Sequence, residues 1–168
     1  MRPVRLEDAA DLARIYVENR AFLAPFDPPR SDGFFTEEGQ RTELEQSIAQ
    51  AAVGARFRYV ILDGDQIVGM ISMSNVVRGP FQSANLGYWV VEGHNGRGVG
   101  TRAVGLVLEA AFQEHGLHRL EAGTLLDNAG SQRVLRKNGF QEIGIAPRYL
   151  FIHGEWRDHL LFQRIADG

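Results

Sequence analysis

Residues His94-Asn95-Gly96-Arg97-Gly98-Val99-Gly100-Thr101 break an otherwise apolar stretch. The strand-like Leu86-Gly87-Tyr88-Trp89-Val90-Val91 enters them, and an apolar helical run reaching Phe112 leaves them. A strand that turns through glycine into a helix gathers backbone N–H groups around a concavity, and the helix N-terminus adds partial positive charge there. The product is a seat for phosphate. Glycine also serves ordinary tight turns, so the assignment needs support elsewhere in the chain. Two common phosphate signatures are missing. There is no G-x-x-x-x-G-K-[ST], which would supply the Lys and hydroxyl for a nucleoside triphosphate, and Gly96, Gly98 and Gly100 alternate, so no G-x-G-x-x-G is present. A pyrophosphate seat of another type remains.

The surrounding pattern reads as one mixed α/β domain over residues 1–168. Ala9, Leu12, Ala13, Tyr16 and Val17 recur at helical spacing behind Glu7 and Asp8, which predicts an amphipathic helix lying on a sheet. Residues 24–33 carry too much Pro and Gly for regular structure, and Leu44, Ile48, Ala51 and Ala52 mark a second helix. Phe57 to Leu62 and Ile67 to Met73 flank Asp63-Gly64-Asp65 as a hairpin, and Ala84, Leu86, Tyr88 and Val90 alternate as one face of a strand. Beyond the loop, Val99 to Glu114 is predicted as a helix and Leu120, Ala122 and Thr124 as a strand. Ala129 to Asn138 is predicted as a short helix, and Phe140 to Arg164 as a hairpin turned by His153-Gly154. The order is βααβββαβαββ, with no internal repeat or linker.

Composition removes several function classes. The net charge of −3 and pI near 5.9 argue against a nucleic-acid module, and the 18 Lys and Arg residues are scattered. Without cysteine there is no disulfide, thiolate metal site or cysteine nucleophile. The five histidines show no paired ligand spacing, so no metal is expected. No apolar run approaches the roughly 18 residues of a membrane span, and no signal pattern opens the chain, so a cytoplasmic protein without membrane partners is expected.

Two segments resemble the GNAT superfamily of acetyl-CoA-dependent N-acetyltransferases. The superfamily's pyrophosphate loop reads [Gln/Arg]-x-x-Gly-x-[Gly/Ala]; Gly98 and Gly100 fill its glycine positions, while Asn95 stands where Gln or Arg is usual. Asn128-Ala129-Gly130-Ser131-Gln132-Arg133-Val134-Leu135-Arg136-Lys137-Asn138-Gly139-Phe140 is similar to its N-x-x-S-x-x-x-x-x-K-x-G-F segment. The likeness extends to the element order, except that only Met1 to Val4 precede the first helix, so a truncated first strand is expected. It implies a mostly antiparallel central sheet flanked by helices, the acyl-CoA N-acyltransferase fold, with acetyl-CoA as cosubstrate. The backbone of Gly96, Arg97, Gly98, Val99, Gly100 and Thr101 would hold the pyrophosphate, with Asn95 able to donate hydrogen bonds to it, and the backbone of Trp89, Val90 and Val91 would hold the pantetheine arm. For Arg97, contact with a CoA phosphate stands beside a plain solvated loop cation.

Asn128 and Ser131 each have two readings. Either can cap the helix that follows, and the resemblance implies that Asn128 touches pantetheine and that the Ser131 hydroxyl protonates the leaving CoA sulfur. A base is harder to find, because Arg148 to Ile152 contains no acid and His153 sits in an exposed turn. Glu121 is the carboxylate candidate, acting through a water, against an edge ion pair with Arg119 or Arg133. The segments Ala146 to His159 and Asn19 to Pro28 resemble the branch that acetylates N-terminal alanines of ribosomal proteins. The expected acceptor is therefore a protein N-terminal α-amine. A small-molecule amine and a non-catalytic CoA-sensing module are the alternatives, and the oligomeric state is left open to a homodimer.

Overall fold

The computed structural model describes residues 1–166. The elements are β1 (Arg2–Pro3), α1 (Ala9–Glu18), α2 (Arg20–Leu23), α3 (Glu37–Ala52), β2 (Phe57–Asp63), β3 (Gln66–Val77), β4 (Ser83–Val90), α4 (Val99–Glu109), β5 (Arg119–Leu125), α5 (Ala129–Lys137), β6 (Gln141–Ile152) and β7 (Glu155–Ile165). They form one seven-stranded sheet in the order β1-β2-β3-β4-β5-β7-β6. Every pairing is antiparallel except β4 with β5. The mixed, mostly antiparallel sheet flanked by helices agrees with the reading of the sequence. Among the described residues, no helix is long and apolar enough to cross a membrane.

Strand alternation divides the apolar residues between two cores. Tyr59, Ile71, Leu86, Val90, Leu120 and Phe162 face α4 and α5, where Val104, Val107 and Leu135 are wholly buried. Val60, Ile67 and Met70 face α1 and α3, where Leu12 and Leu44 are wholly buried. Burying one such side chain stabilises the fold by about 1.5–3 kcal/mol, and here the strand period of two decides which helix pair receives each residue.

Three details depart from expectation, the first being a short helix, α2, that adds a third helix ahead of β2 to the predicted order. The helix predicted over 99–114 is α-helical only to Glu109; residues 110–114 widen into a π turn, with the His115 amide donating to the Ala110 carbonyl at 2.9 Å. The wider turn stacks His115 on Phe57 at 3.7 Å and brings its Nε2 to 3.0 Å from the Tyr59 hydroxyl. At the end of the predicted irregular segment and just beyond it, a 3-10 turn over Asp32–Phe35 buries Phe34 against Tyr16, ring centres 4.8 Å apart. Periodicity could not show the last two, because both are made by tertiary contact.

Candidate active site

β4 and β5 are paired for three rungs only, Ser83 to Asn85 against Arg119 to Glu121, and then separate. Beyond this point β3 still covers one edge of β4, and β7 covers the far edge of β5. The edges facing each other are open. Val91 donates its amide to the Val68 carbonyl at 2.9 Å. With a period of two, Trp89 and Val91 therefore turn their backbone polar groups to β3, while Tyr88 and Val90 turn theirs into the gap. The backbone contact expected at Trp89, Val90 and Val91 shifts accordingly: Val90 keeps it, Tyr88 joins it, and the other two are already occupied.

The glycine loop lies at the end of this gap. Gly96 and Gly98 adopt φ of +76° and +77°, and Gly98 is the N-cap of α4 without any side chain to satisfy the first turn. The Gly98 carbonyl accepts from the Arg102 amide at 3.0 Å, whereas the amides of residues 96–101 make no loop or cap hydrogen bond to backbone among the described residues. Here the seat for an anion is built from main chain. Asn95 turns inward: its Nδ2 faces the Val90, Val91 and Glu92 carbonyls at 3.4, 3.3 and 3.4 Å, so it curls the loop instead of reaching outward. Arg97 is exposed. Two asparagines outside the motif fix the loop in place. Asn19 donates to the Ile15 carbonyl and accepts from the Glu92 amide at 3.1 Å, and Asn138 of the α5 C-cap donates to the Thr101 carbonyl at 3.1 Å.

Across the gap stands the start of α5. The Asn128 side chain accepts from the Ser131 amide at 3.0 Å, which makes Asn128 the cap and leaves the Ser131 hydroxyl free of that duty. That hydroxyl lies 2.8 Å from the Tyr88 hydroxyl, and Tyr88 also donates to the Ser131 carbonyl at 3.3 Å. Burial pushes the Tyr88 phenol up to about 12, with the Ser131 hydrogen bond pulling weakly the other way. Tyr88 is thus a neutral hydroxyl at any ordinary pH.

A cavity of about 290 Å³ runs from this hydroxyl pair through the gap to the opposite face of the sheet. The gap is flanked there by Gly87 on β4 and Gly123 on β5. A Cβ at Gly123 would meet Leu161, His159 and Tyr149 at 3.3, 3.5 and 3.6 Å, so a larger residue there would press on the side chains of this wall. The far walls come from the α2 region (Leu23, Phe26, Asp27, Arg30), from Arg56 and Arg58, and from the β6–β7 hairpin (Leu150, Ile152, His159). His159 is 3% exposed, and its Nδ1 lies 3.1 Å from the Arg157 carbonyl. Because a carbonyl only accepts, Nδ1 is the donor in this contact. Trp89 anchors α1 to this wall by donating to the Tyr16 hydroxyl at 3.1 Å.

The structure therefore brings together Val90, the 96–101 loop, Asn128 and Ser131, and does not bring Glu121 to them. Glu121 sits on the last paired rung, opposite Asn85, where no gap exists, and its carboxylate lies 3.9 Å from Arg119. It takes no part in the cavity wall. Tyr88 and His159 were missed. Tyr88 was visible as one face of a strand, but nothing in the sequence says that it meets Ser131, 43 residues away. His159 closes the segment Ala146 to His159, but nothing in the sequence gave its ring a role.

Residues 1–141 match the family described as Acetyltransferase (GNAT) domain. A probable N-acetyltransferase of Bacillus subtilis, YjcK, is 38% identical over 161 residues, covering 95% of this chain and 89% of the relative. The [ribosomal protein uS5]-alanine N-acetyltransferase of Escherichia coli is 34% identical over 163 residues, covering 96% and 84%. Among solved structures, Mycobacterium smegmatis RimJ in complex with CoA-disulfide superposes with a TM-score of 0.95 at 34% identity, covering 98% of this chain and 80% of that one.

Proposed function

We propose, for a chain that belongs to the GNAT acetyltransferase family, that the acceptor is the N-terminal α-amine of a protein, a ribosomal protein first. The chain is an N-acetyltransferase with acetyl-CoA as cosubstrate. The observation that supports the finer reading is the cavity through the sheet, which lets two substrates meet from opposite faces, together with likeness to a uS5-alanine N-acetyltransferase over 96% of the chain.

In this mechanism the amides of residues 96–101 and the α4 N-terminus hold the pyrophosphate, with Arg97 adding charge at the rim, and the edge of Tyr88 and Val90 receives the pantetheine arm as an added strand. An amide on that open edge polarises the thioester carbonyl. The acceptor enters from the α1–α3 face, between Gly87 and Gly123. Its nitrogen attacks the acetyl carbon, the carbon–sulfur bond breaks, and the amine proton leaves to His159 Nε2 directly or through water. The sulfur takes its proton from the Ser131 hydroxyl, which Tyr88 resupplies across their 2.8 Å contact, and solvent returns to Tyr88 the proton that His159 releases to solvent, so the cycle balances. An α-amine has a pKa near 8, so a sizeable neutral fraction exists at neutral pH and the base has little to do.

The test compares three acceptors with acetyl-CoA, following CoA release and product mass: a peptide beginning with a free alanine, the same peptide with its N-terminus blocked, and spermidine. Acetylation of the free terminus alone is the expected result. Turnover of the blocked peptide or of spermidine at equal or higher efficiency would overturn the α-amine assignment.

A further inference from the structure

The far wall of the cavity holds more positive charge than the fold neutralises. Alternation along β2 puts Arg58 on the same face as Val60, and Arg58, Arg56 just ahead of the strand and Arg30 all reach the cavity. Arg58 is engaged, donating to Ser47 Oγ at 2.9 Å with Glu43 at 3.8 Å. Arg30 is engaged too, with Asp27 at 3.4 Å and its guanidinium 4.6 Å from the centre of the Phe34 ring. Arg56 is different. It follows the left-handed turn at Gly54 (φ +70°) that ends α3, and it is half-buried with its Nε shielded from solvent and without any hydrogen-bond partner. Among the described residues no carboxylate pairs with it, and Asp27, the one acid on the cavity wall, is taken by Arg30. Burial, and after it the neighbouring Arg58, pull the Arg56 guanidinium below its ordinary value, against a weaker upward pull from Glu43, the acid that Arg58 holds.

A buried donor without an acceptor calls for a reason, and a ligand that supplies the acceptor is one. We propose that Arg56, flanked by Arg30 and Arg58, is a carboxylate subsite that selects acceptors carrying an acidic group next to the reacting amine. The inference rests on the α-amine reading above and adds the acceptor's class: a protein N-terminus with Asp or Glu close behind its first residue. A guanidinium takes a carboxylate through two parallel hydrogen bonds, which gives orientation as well as attraction. The same positive wall lowers the pKa of the incoming amine and raises its neutral, nucleophilic fraction.

Two matched pairs test the subsite: peptides beginning Ala-Glu and Ala-Gln, and the small amines β-alanine and β-alaninamide, each assayed for kcat and KM. The wild-type enzyme is expected to prefer Ala-Glu over Ala-Gln by about 10-fold or more in kcat/KM, mainly through KM, and to lose much of that preference between about 50 and 500 mM KCl. Arg56→Gln should bring the two peptides within about 3-fold of each other, and Arg56→Lys should restore part of the gap without the paired hydrogen bonds. Arg41→Gln, on an exposed helix face beside Glu37, should leave the preference unchanged. Melting temperature and acetyl-CoA affinity show that each variant is folded; if Arg56→Gln is not, Arg56→Lys and the salt dependence carry the test. Equal use of Ala-Glu and Ala-Gln by the wild type, or a preference that survives Arg56→Gln, overturns the subsite and leaves the α-amine reading standing. If β-alanine is preferred over β-alaninamide while neither peptide reacts, the subsite stands and the α-amine reading falls. Turnover of no acceptor overturns both.

Discussion

The two faces of the sheet build their halves of the cleft from different materials. On the α4–α5 side the site is main chain: the amides of residues 96–101, the open edge of Tyr88 and Val90, and one hydroxyl pair. On the α1–α3 side it is side chain, with Asp27, Arg30, Arg56, Arg58 and His159 drawn from segments more than 130 residues apart. Pyrophosphate and pantetheine look alike to every member of such a family, so a fixed backbone can serve them. Acceptors differ, and side chains are exchanged without disturbing a strand or a helix.

If this division is right, the largest effect should come from spoiling the backbone seat. Gly98→Glu puts a carboxylate against the pyrophosphate at a φ of +77°, where an added Cβ meets nothing within 4 Å. Strain should therefore cost only about 1–2 kcal/mol of stability, while acetyl-CoA affinity should fall by at least about 100-fold through charge and bulk. Gly98→Ala separates the two, losing stability but little affinity. Calorimetry showing wild-type affinity in Gly98→Glu would end the case for a backbone seat.

The next effect tests the hydroxyl pair, where the backbone face uses side chains for proton transfer. Ser131→Ala should lower kcat and kcat/KM together by about 100-fold with acetyl-CoA affinity unchanged, and Tyr88→Phe should lower both by a smaller factor. Because burial holds the Tyr88 phenol at about 12, the acid form persists across the working range and no alkaline loss of rate should appear below about pH 10. Helix capping gives a contrasting signature at Asn128, where Asn128→Ala should cost about 0.5–2 kcal/mol of stability. A Ser131→Ala variant with normal turnover would make Ser131 structural.

The same division explains what the sequence disclosed. A backbone site leaves a contiguous trace, because glycines must stand where φ is positive and a helix must start where an anion would be received; the turn at Gly96 and Gly98 and the helix cap at Asn128 were therefore readable. Element order was readable for a similar reason, since hydrophobic period is local. A side-chain site leaves no such trace. Arg56 is an ordinary arginine after a helix until β3 and β4 place Ser72 and Gly87 across from Arg58. Glu121 was drawn in as a base because it was an acid near the right strand, but register put it one rung short of the gap, beyond what alternation can resolve.

On the side-chain face, His159→Gln removes the buried ring that receives the amine proton in this mechanism. We expect kcat/KM to fall by about 10-fold with acetyl-CoA affinity intact. An unchanged kcat/KM would assign the proton to water alone.

The smallest effect concerns the framework of that face, where Asp8 joins the first strand to α1. Its carboxylate takes the Arg2 Nη1 and Nη2 at 2.9 and 2.6 Å and the Arg5 amide at 2.8 Å, with its side chain 5% exposed. Burial by itself would raise this carboxyl, but the Arg2 hydrogen bonds, the Arg5 amide and both positive charges outweigh it, and the value lies below the ordinary one. A lowered folded value means that the stabilisation is complete above the unfolded pKa near 4 and is lost as pH falls through the folded value. At pH 7, Asp8→Asn should lose about 1–3 kcal/mol of unfolding free energy. As the wild type is acidified below about pH 4 the two stability curves should converge, because the variant has no charge there to lose. Acceptor KM should rise modestly, since α1 carries Tyr16 to Trp89 at the cavity wall, while acetyl-CoA affinity should not move. A stability gap that stays constant from pH 7 to acid would show that packing, and not the ion pair, joins this corner; a loss of acetyl-CoA affinity would show that the two faces are coupled and not built separately.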